Sequence, residues 1–455
     1  MGATGVAGIR GTAFDAPDLG RVRIREDALF LVGTGGLIEQ ILQSDDSTYE
    51  DWIARLRGEG SLTELSDGQY LFPGFVDTHI HAPQWPQSGK ALDVPLADWL
   101  NTYTFPLEAR YQDQGFALQV YDSLVESMLA NGTTTAVYFA TAHLPATKLL
   151  AEICSQYGQR ALVGRVAMDS PETCPDFYRD PSAAAAIEET RELIEHVRQL
   201  SANDGLVLPV ITPRFIPSCT DALLDGLGGV AGETGAHVQT HCSESDWAHQ
   251  YGIDRFGQTD TATYDDFGLL TRRTILAHSN LITADDMESI TAAGAAVGHC
   301  PLSNVYFANA VFPLREALDR GVHVGLGTDI SGGPAVSVLR TVSDAVVVSR
   351  MREDGVDASI DPSLRGIAGS RVTLAEAFWV GTTGGGIALE LPVGVLEPDY
   401  SFDAIVVDTT VDDSNLRTWP EFDTLFDVFQ KSMYHATRRN IVKVWVQGNE
   451  VRSSA

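Results

Sequence analysis

Histidine and aspartate residues close several short apolar runs of the chain, and this pattern gives the first chemical signal. The run PGFVDTHIH ends with His79 and His81, and later runs end at His241, His278 and Asp329. Residues two apart on a strand point to the same side, so His79 and His81 can face one centre. Imidazoles and a carboxylate suit Zn²⁺ or Fe²⁺. One histidine alone is more often a core or surface residue, but the whole series favours a metal site.

A further carboxylate stands close to this series. Glu244 follows His241 by three residues in HCSE, where it can reach a bound substrate as a general acid or base. The alternative is a glutamate at a helix start, which the helix dipole favours. Asp329, in GTDIS, can both contact a metal and accept a proton from bound water.

The lysine distribution bears on the number of metal ions. Binuclear hydrolases built on barrels commonly use a carboxylated lysine at the fourth strand end. Here that end reads ITPRF, and no lysine lies between Lys148 and Lys431. The sequence therefore predicts one metal ion per chain.

Alternating elements must position these residues. Eight apolar runs alternate with helix-compatible segments, which predicts an α/β fold, a (β/α)8 TIM-like barrel whose active face lies at the carboxyl ends of the strands. One predicted helix spans Asp180 to Leu200, with Asp180 as its cap. The runs are YLFPGFVDTHIH, TTTAVYFAT, RALVGRVAMD, LVLPVITPRF, AHVQTHCSE, RTILAHS, AAVGHCP and VHVGLGTDIS.

Both chain ends are strand-like, with segments such as RVRIREDALFLVG near the start and NIVKVWVQGNEVRS near the finish. They predict a small flanking β-sandwich domain made from residues 1–70 and 391–455. The catalytic barrel is then expected over residues 71–390.

Composition narrows the function classes. The chain has 455 residues and a formal net charge of −30, so a nucleic acid or an anionic membrane is an unfavourable partner. Five cysteines without a CxxC pair predict a reducing, cytoplasmic location. The start lacks the pattern of a secretory signal, and no apolar stretch approaches the length of a membrane span.

Several longer motifs resemble the amidohydrolase superfamily, specifically its guanine deaminases. The shared motifs are PGFVDTHIHAPQ, HCSE, LAHS, GHCPLSN and GLGTDISGG, and the resemblance covers about residues 70–390. The H-x-H motif is common to the whole superfamily. LADWLNTYTFPLEARYQD, NGTTTAVYFAT and ITPRFIPSC are more specific to the guanine deaminases.

The resemblance implies a metal centre of defined composition. Zinc, with iron as an alternative, would bind to His79, His81, His241 and Asp329. His278 would lie beside the attacking water and orient it, and Asp329 would take a proton from that water.

The resemblance also implies the substrate contacts. Gln84 and Arg214 would hydrogen bond to the purine edges, Arg214 at the carbonyl oxygen, and Phe215 would pack on the ring. Glu244 would carry a proton to a ring nitrogen, and Asn304 would support the site. His241, Glu244 and Asp329 would also contact the substrate. Pro83 departs from the family pattern, which has a smaller residue there.

The implied activity is the deamination of guanine by water to xanthine and ammonia in purine catabolism, by a homodimer. Related amines remain open, namely 8-oxoguanine, a pterin or an aminotriazine. The missing lysine argues against a cyclic amidase, and the complete ligand set argues against a non-catalytic scaffold. The H-x-E and P-C-x-x-C signature of nucleic-acid deaminases does not occur.

Overall fold

The computed structural model describes residues 7–200 and 205–453. Within them the strands are β1 (Ala7–Asp18), β2 (Arg21–Val32), β3 (Ile38–Leu42), β4 (Leu62–Glu64), β5 (Gln69–Pro73), β6 (Phe75–His81), β7 (Thr133–Phe139), β8 (Arg160–Gly164), β9 (Val166–Ala167), β10 (Val207–Pro213), β11 (His237–Cys242), β12 (Thr274–His278), β13 (Ala296–His299), β14 (His323–Leu326), β15 (Ala404–Asp408), β16 (Ile441–Val446) and β17 (Asn449–Ser453).

The helices surround and connect these strands. They are α1 (Tyr49–Glu59), α2 (Leu96–Trp99), α3 (Phe105–Glu108), α4 (Gln114–Ala130), α5 (Leu144–Tyr157), α6 (Ala183–Gln199), α7 (Asp221–Thr234), α8 (Asp246–Phe256), α9 (Asp260–Asp266), α10 (Ala284–Ala293), α11 (Pro301–Ser303), α12 (Leu314–Asp319), α13 (Val338–Asp354), α14 (Leu374–Trp379), α15 (Gly385–Ala388) and α16 (Leu425–His435). In the part of the chain that the structure describes, none of the helices is long and apolar enough to cross a membrane.

The predicted barrel is confirmed. The order β6, β7, β8, β10, β11, β12, β13, β14 is parallel throughout, and pairing of Leu326 in β14 with Asp77 in β6 closes the ring. Every residue of β6 and β7 is buried, as expected for strands covered on both faces. Thr78 fills part of the interior, where its hydroxyl donates to the carbonyl of Leu326 at 3.0 Å.

The predicted start of the helix after the third barrel strand is wrong. Helix α6 begins at Ala183, and Ser182 caps it by accepting from the backbone N–H of Ala185. Asp180 instead pairs with the buried guanidinium of Arg165 and accepts from the N–H of Met168. A buried arginine needs a carboxylate partner, and this need takes Asp180 away from the helix.

A second sheet is built from both chain ends, as predicted. Its strands are hydrogen bonded in the order β17, β16, β15, β5, β1, β2, β3, with β4 added on β1, so all eight belong to one network. Phe30, Phe402 and Trp445 form part of its own apolar core. Strand β5 leads almost directly into β6, which joins the sheet to the barrel. The exact domain boundaries, at 70/71 and 390/391, remain predictions.

Candidate active site

Four imidazoles and one carboxylate converge at the carboxyl ends of the barrel strands. The ligand atoms of His79, His81 and Asp329 lie within 4.8 Å of one another, and so do those of His79, His241 and His278. His81 Nε2 lies 3.0 Å from His241 Nε2, and His79 Nε2 lies 3.2 Å from Asp329 Oδ1. Two facing imidazole nitrogens require a proton or a cation between them.

The electrostatics of this cluster favour a metal ion. Burial, reinforced by the neighbouring histidines, lowers the pKa of His79, His81 and His241 well below its usual value. The rings are therefore neutral and offer lone pairs. His79 Nε2 is buried, and although it lies 3.2 Å from Asp329 Oδ1 it forms no hydrogen bond with any residue the structure describes. Neutral imidazoles, a carboxylate and an orphaned ring nitrogen together fit a cation such as Zn²⁺.

Hydrogen bonds orient two of the rings. His241 Nδ1 donates to the carbonyl oxygen of Arg214 at 2.6 Å, and His278 Nδ1 donates to Asn304 Oδ1 at 2.9 Å. These bonds turn the Nε2 lone pairs toward the centre of the cluster. The structure thus places Asn304 where the sequence predicted a supporting residue.

The backbone around the cluster is locally strained. Ser243, His278, Ser279 and Asp329 adopt left-handed conformations, with φ of 43°, 68°, 53° and 48°. Such conformations are costly for residues with a side chain and concentrate at functional sites. Hydrogen bonding holds the last of them in place, since the N–H of Asp329 donates to the carbonyl of His79 at 2.9 Å.

Asp77 supports the same strand end and was not assigned a role from the sequence. It is fully buried, and its carboxylate accepts from the N–H of Thr328 at 3.0 Å and from the Thr328 hydroxyl at 2.5 Å. It also accepts from the N–H of His79 at 3.2 Å. One carboxylate therefore ties the residue before Asp329 to the first histidine of the cluster.

Glu244 lies where a proton-transfer group is needed. It follows β11, and its Oε1 lies 3.8 Å from His278 Nε2. Burial, helped by the charge of Asp329 and opposed by that of Arg214, raises the pKa of Glu244 to about 8. The Asn280 amide donates to the carbonyl of Glu244 at 2.8 Å and anchors the loop. A carboxyl that holds its proton near neutral pH can act as a general acid.

A cleft opens over the cluster. The predicted substrate residues all line it, namely Gln84, Arg214, Phe215, His241, Glu244 and Asp329. Sequence reasoning missed six further lining residues, namely Leu96, Trp99, Leu100, Ser303, Phe307 and Gly332. Three of them, Leu96, Trp99 and Leu100, belong to the segment LADWLNTYTFPLEAR. The resemblance of this segment to the family was its only sequence indication of a role in the site.

Glu108 is a second residue that sequence reasoning missed. It ends α3, is fully buried, and accepts from Arg214 Nη1 at 2.6 Å. Burial opposes the charge on Arg214, but the carboxylate of Glu108 outweighs this effect and raises the pKa of the guanidinium. Arg214 therefore stays charged within the wall of the cleft.

Comparison with known proteins gives a consistent result. The model of the Amidohydrolase family matches residues 70–451. The chain is 37% identical over 446 residues to a probable guanine deaminase of Schizosaccharomyces pombe, covering 97% of this chain and 82% of that protein. It is 36% identical over 397 residues to the guanine deaminase of Homo sapiens, covering 86% and 84%.

A solved structure shares the whole architecture. The guanine deaminase from C. acetobutylicum, with guanine bound in its active site, superposes with a TM-score of 0.87 at 29% identity. The match covers 98% of this chain and 99% of that one.

Proposed function

The chain belongs to the amidohydrolase family, and on this basis we propose that it hydrolyses guanine to xanthine and ammonia in purine catabolism. The proposal rests on one observation: a single cleft contains both side chains that can bind a metal ion and side chains that can hydrogen bond to a purine. His81 and Asp329 of the cluster line this cleft, and Gln84 and Arg214 line it as well. The names of the relatives and the guanine-bound neighbour support the same substrate.

One metal ion per chain is proposed at His79, His81, His241 and Asp329, with zinc as the first choice and iron as the second. When bound, such an ion would lower the pKa of water toward about 7 and so supply a nucleophile at neutral pH. The buried, neutral imidazoles support this ligand set. The fourth strand end supports a single ion, since it offers Arg214 and no lysine.

The protein's own groups would move the protons. Asp329 accepts a proton from water, and His278 holds the water for attack on the ring carbon that bears the amino group. Glu244 donates a proton to the adjacent ring nitrogen, and Asp329 passes the proton that it took from water to the amino nitrogen, which leaves as ammonia. As the new carbonyl forms, its hydroxyl proton returns to Glu244. The oxygen of water thereby replaces the amino nitrogen, and one ammonia is released for each xanthine formed.

The wall of the cleft would select the base. Arg214 offers only N–H donors, which suit the carbonyl oxygen of guanine and oppose the amino group that adenine carries at the same place. Phe215 would pack on the ring, and its own ring centre lies 6.3 Å from that of His241. A purine entering the cleft would therefore lie between this ring and the metal cluster.

A homodimer in the cytoplasm is the proposed form of the protein. Four aromatic side chains near α16 are 44% to 82% exposed, and a contact between two copies of the chain would remove them from water. They are Trp419, Phe422, Phe426 and Tyr434. All five cysteines are free, in keeping with a reducing compartment. Light scattering after gel filtration tests the dimer, and a monomer mass would contradict it.

A substrate panel tests the proposed activity. Ammonia release by zinc-loaded protein should be fast with guanine and absent with adenine and cytosine. It should also be lost in His241→Ala. Turnover of 8-oxoguanine, a pterin or ammeline in place of guanine would keep the hydrolytic chemistry and refute the roles of Gln84 and Arg214. If protein with metal bound released no ammonia from any compound of the panel, the proposed function would be refuted.

A further inference from the structure

Three buried side chains from distant parts of the sequence form one hydrogen-bonded unit beside the metal cluster. Gln84 comes from the turn after β6, Glu108 from the end of α3, and Arg214 from the residue after β10. Their exposed fractions are 2%, 0% and 3%. The two outer members line the cleft, whereas Glu108 lies behind them.

Glu108 accepts all the hydrogen bonds that join this unit. Its Oε2 accepts from Arg214 Nη1 at 2.6 Å, and its Oε1 accepts from Arg214 Nη2 at 3.2 Å. The same Oε1 accepts from Gln84 Nε2 at 2.9 Å. The guanidinium also stacks over the ring of Phe105 at 5.0 Å. A bidentate ion pair of this kind fixes the plane of the guanidinium as well as its position.

The carboxylate also fixes which way the amide of Gln84 points. A carboxylate accepts hydrogen bonds only, so the amide must turn its NH₂ group toward Glu108. Its Oε1 then faces Ser331, whose N–H lies 3.2 Å away and whose hydroxyl lies 3.4 Å away. The acceptor of the amide is thus engaged by Ser331, and the unit presents N–H donors to the cleft.

We propose that Glu108 is a positioning residue that gives this wall its donor-only character and so selects purines that carry a carbonyl oxygen. The inference rests on the proposed function, because it assumes that the wall binds a purine. Glu108 itself does not line the cleft. It acts through Gln84 and Arg214.

Glu108→Gln tests this role by its effect on hydrogen bonding. The new amide carries an NH₂ group, which must oppose an N–H of Arg214 in either orientation. The negative charge beside the guanidinium is lost as well. The wall should then lose its fixed donor pattern, and Gln84 should become free to turn.

The probes are hypoxanthine, which keeps the carbonyl, and unsubstituted purine, which lacks it. The measurement is the ratio of their dissociation constants, by calorimetry on metal-loaded protein. We expect the preference of the wild type for hypoxanthine to fall at least about tenfold in Glu108→Gln, as for the loss of a well-formed hydrogen bond. Binding of purine should change much less. An unchanged ratio would overturn the inference.

Asp403→Asn is the matched control. Asp403 is a buried carboxylate that pairs with buried Arg160 through bonds of 3.1 and 3.3 Å, away from the cleft. Its substitution should reduce stability but preserve the ratio, and an equal fall of the ratio in this control would overturn the inference.

A second variant keeps the test decisive if Glu108→Gln does not fold. Glu108→Asp keeps the charge for Arg214 but is one methylene shorter, so it cannot hold Gln84 and Arg214 together. A reduced ratio in this variant supports the role of Glu108, and a wild-type ratio overturns it. Guanine turnover by the wild type is scored separately. Its absence together with a ratio that falls in the variants would refute the proposed function and leave the role of Glu108 standing.

Discussion

Replacement of Asp260 by asparagine should make the stability of the protein less dependent on pH. Asp260 begins α9 and is buried, and its Oδ2 accepts from the N–H of Ser243 at 2.7 Å. Its Oδ1 makes no hydrogen bond to any residue that the structure describes. Burial, reinforced by the charge of Asp286 and opposed by the Ser243 N–H, raises the pKa of Asp260 to about 7.

The size of the effect follows from this shift. An aspartate in an unfolded chain has a pKa of about 3.9, and each unit of difference corresponds to about 1.4 kcal/mol. The folded chain keeps the proton to a higher pH than the unfolded chain. The free energy of unfolding therefore falls as the pH rises from about 4 to about 7, by roughly 4 kcal/mol in all. About 3 kcal/mol of this loss lies between pH 5 and pH 8.

Asparagine cannot ionise, and its oxygen can still accept from the Ser243 N–H. Between pH 5 and pH 8, the free energy of unfolding of Asp260→Asn should therefore rise by about 3 kcal/mol relative to that of the wild type. Urea unfolding followed by tryptophan fluorescence across this range measures the difference. Asp265→Asn, at an exposed position of the same helix, controls for the change in net charge. Parallel pH profiles for Asp260→Asn and the wild type would refute the reasoning.

The remaining predictions concern the cleft. Glu244→Gln should retain its metal but lose about 10²- to 10⁴-fold in ammonia release, and a near wild-type rate would rule out its proton transfer. Asn304→Ala should lower turnover about 10- to 100-fold, because His278 loses the acceptor that orients it; an unchanged rate would contradict this support. Chelation should abolish guanine turnover, and added Zn²⁺ should restore it. Full activity of protein shown by elemental analysis to be metal-free would exclude a catalytic metal.

The barrel and the cluster of candidate metal ligands were predictable because both follow from local patterns. Apolar runs with helical segments between them predict parallel strands. The carboxyl ends of those strands meet at one face, which brings His79, His241 and His278 together from distant positions. The H-x-H spacing adds the second histidine of β6 on the same side of that strand.

The supporting residues were harder to predict because their partners are remote in sequence. Glu108 stands 106 residues from Arg214, and nothing in a helix of 4 residues indicates that its final glutamate is buried in an ion pair. Asp77 was visible beside the histidines, but its partner Thr328 lies 251 residues away. The sequence also predicts Asp180 as a helix cap, because its pairing with Arg165 depends on tertiary contacts that a local pattern does not show.

Deamination of guanine in ¹⁸O-labelled water is the most direct test of the central claim. If the metal-loaded protein adds water at the carbon that carried the amino group, each xanthine should contain one ¹⁸O atom, and one ammonia should appear with it. Mass spectrometry of the product measures the label, and a sample without protein provides the background. Unlabelled xanthine, or no xanthine at all, would contradict the account.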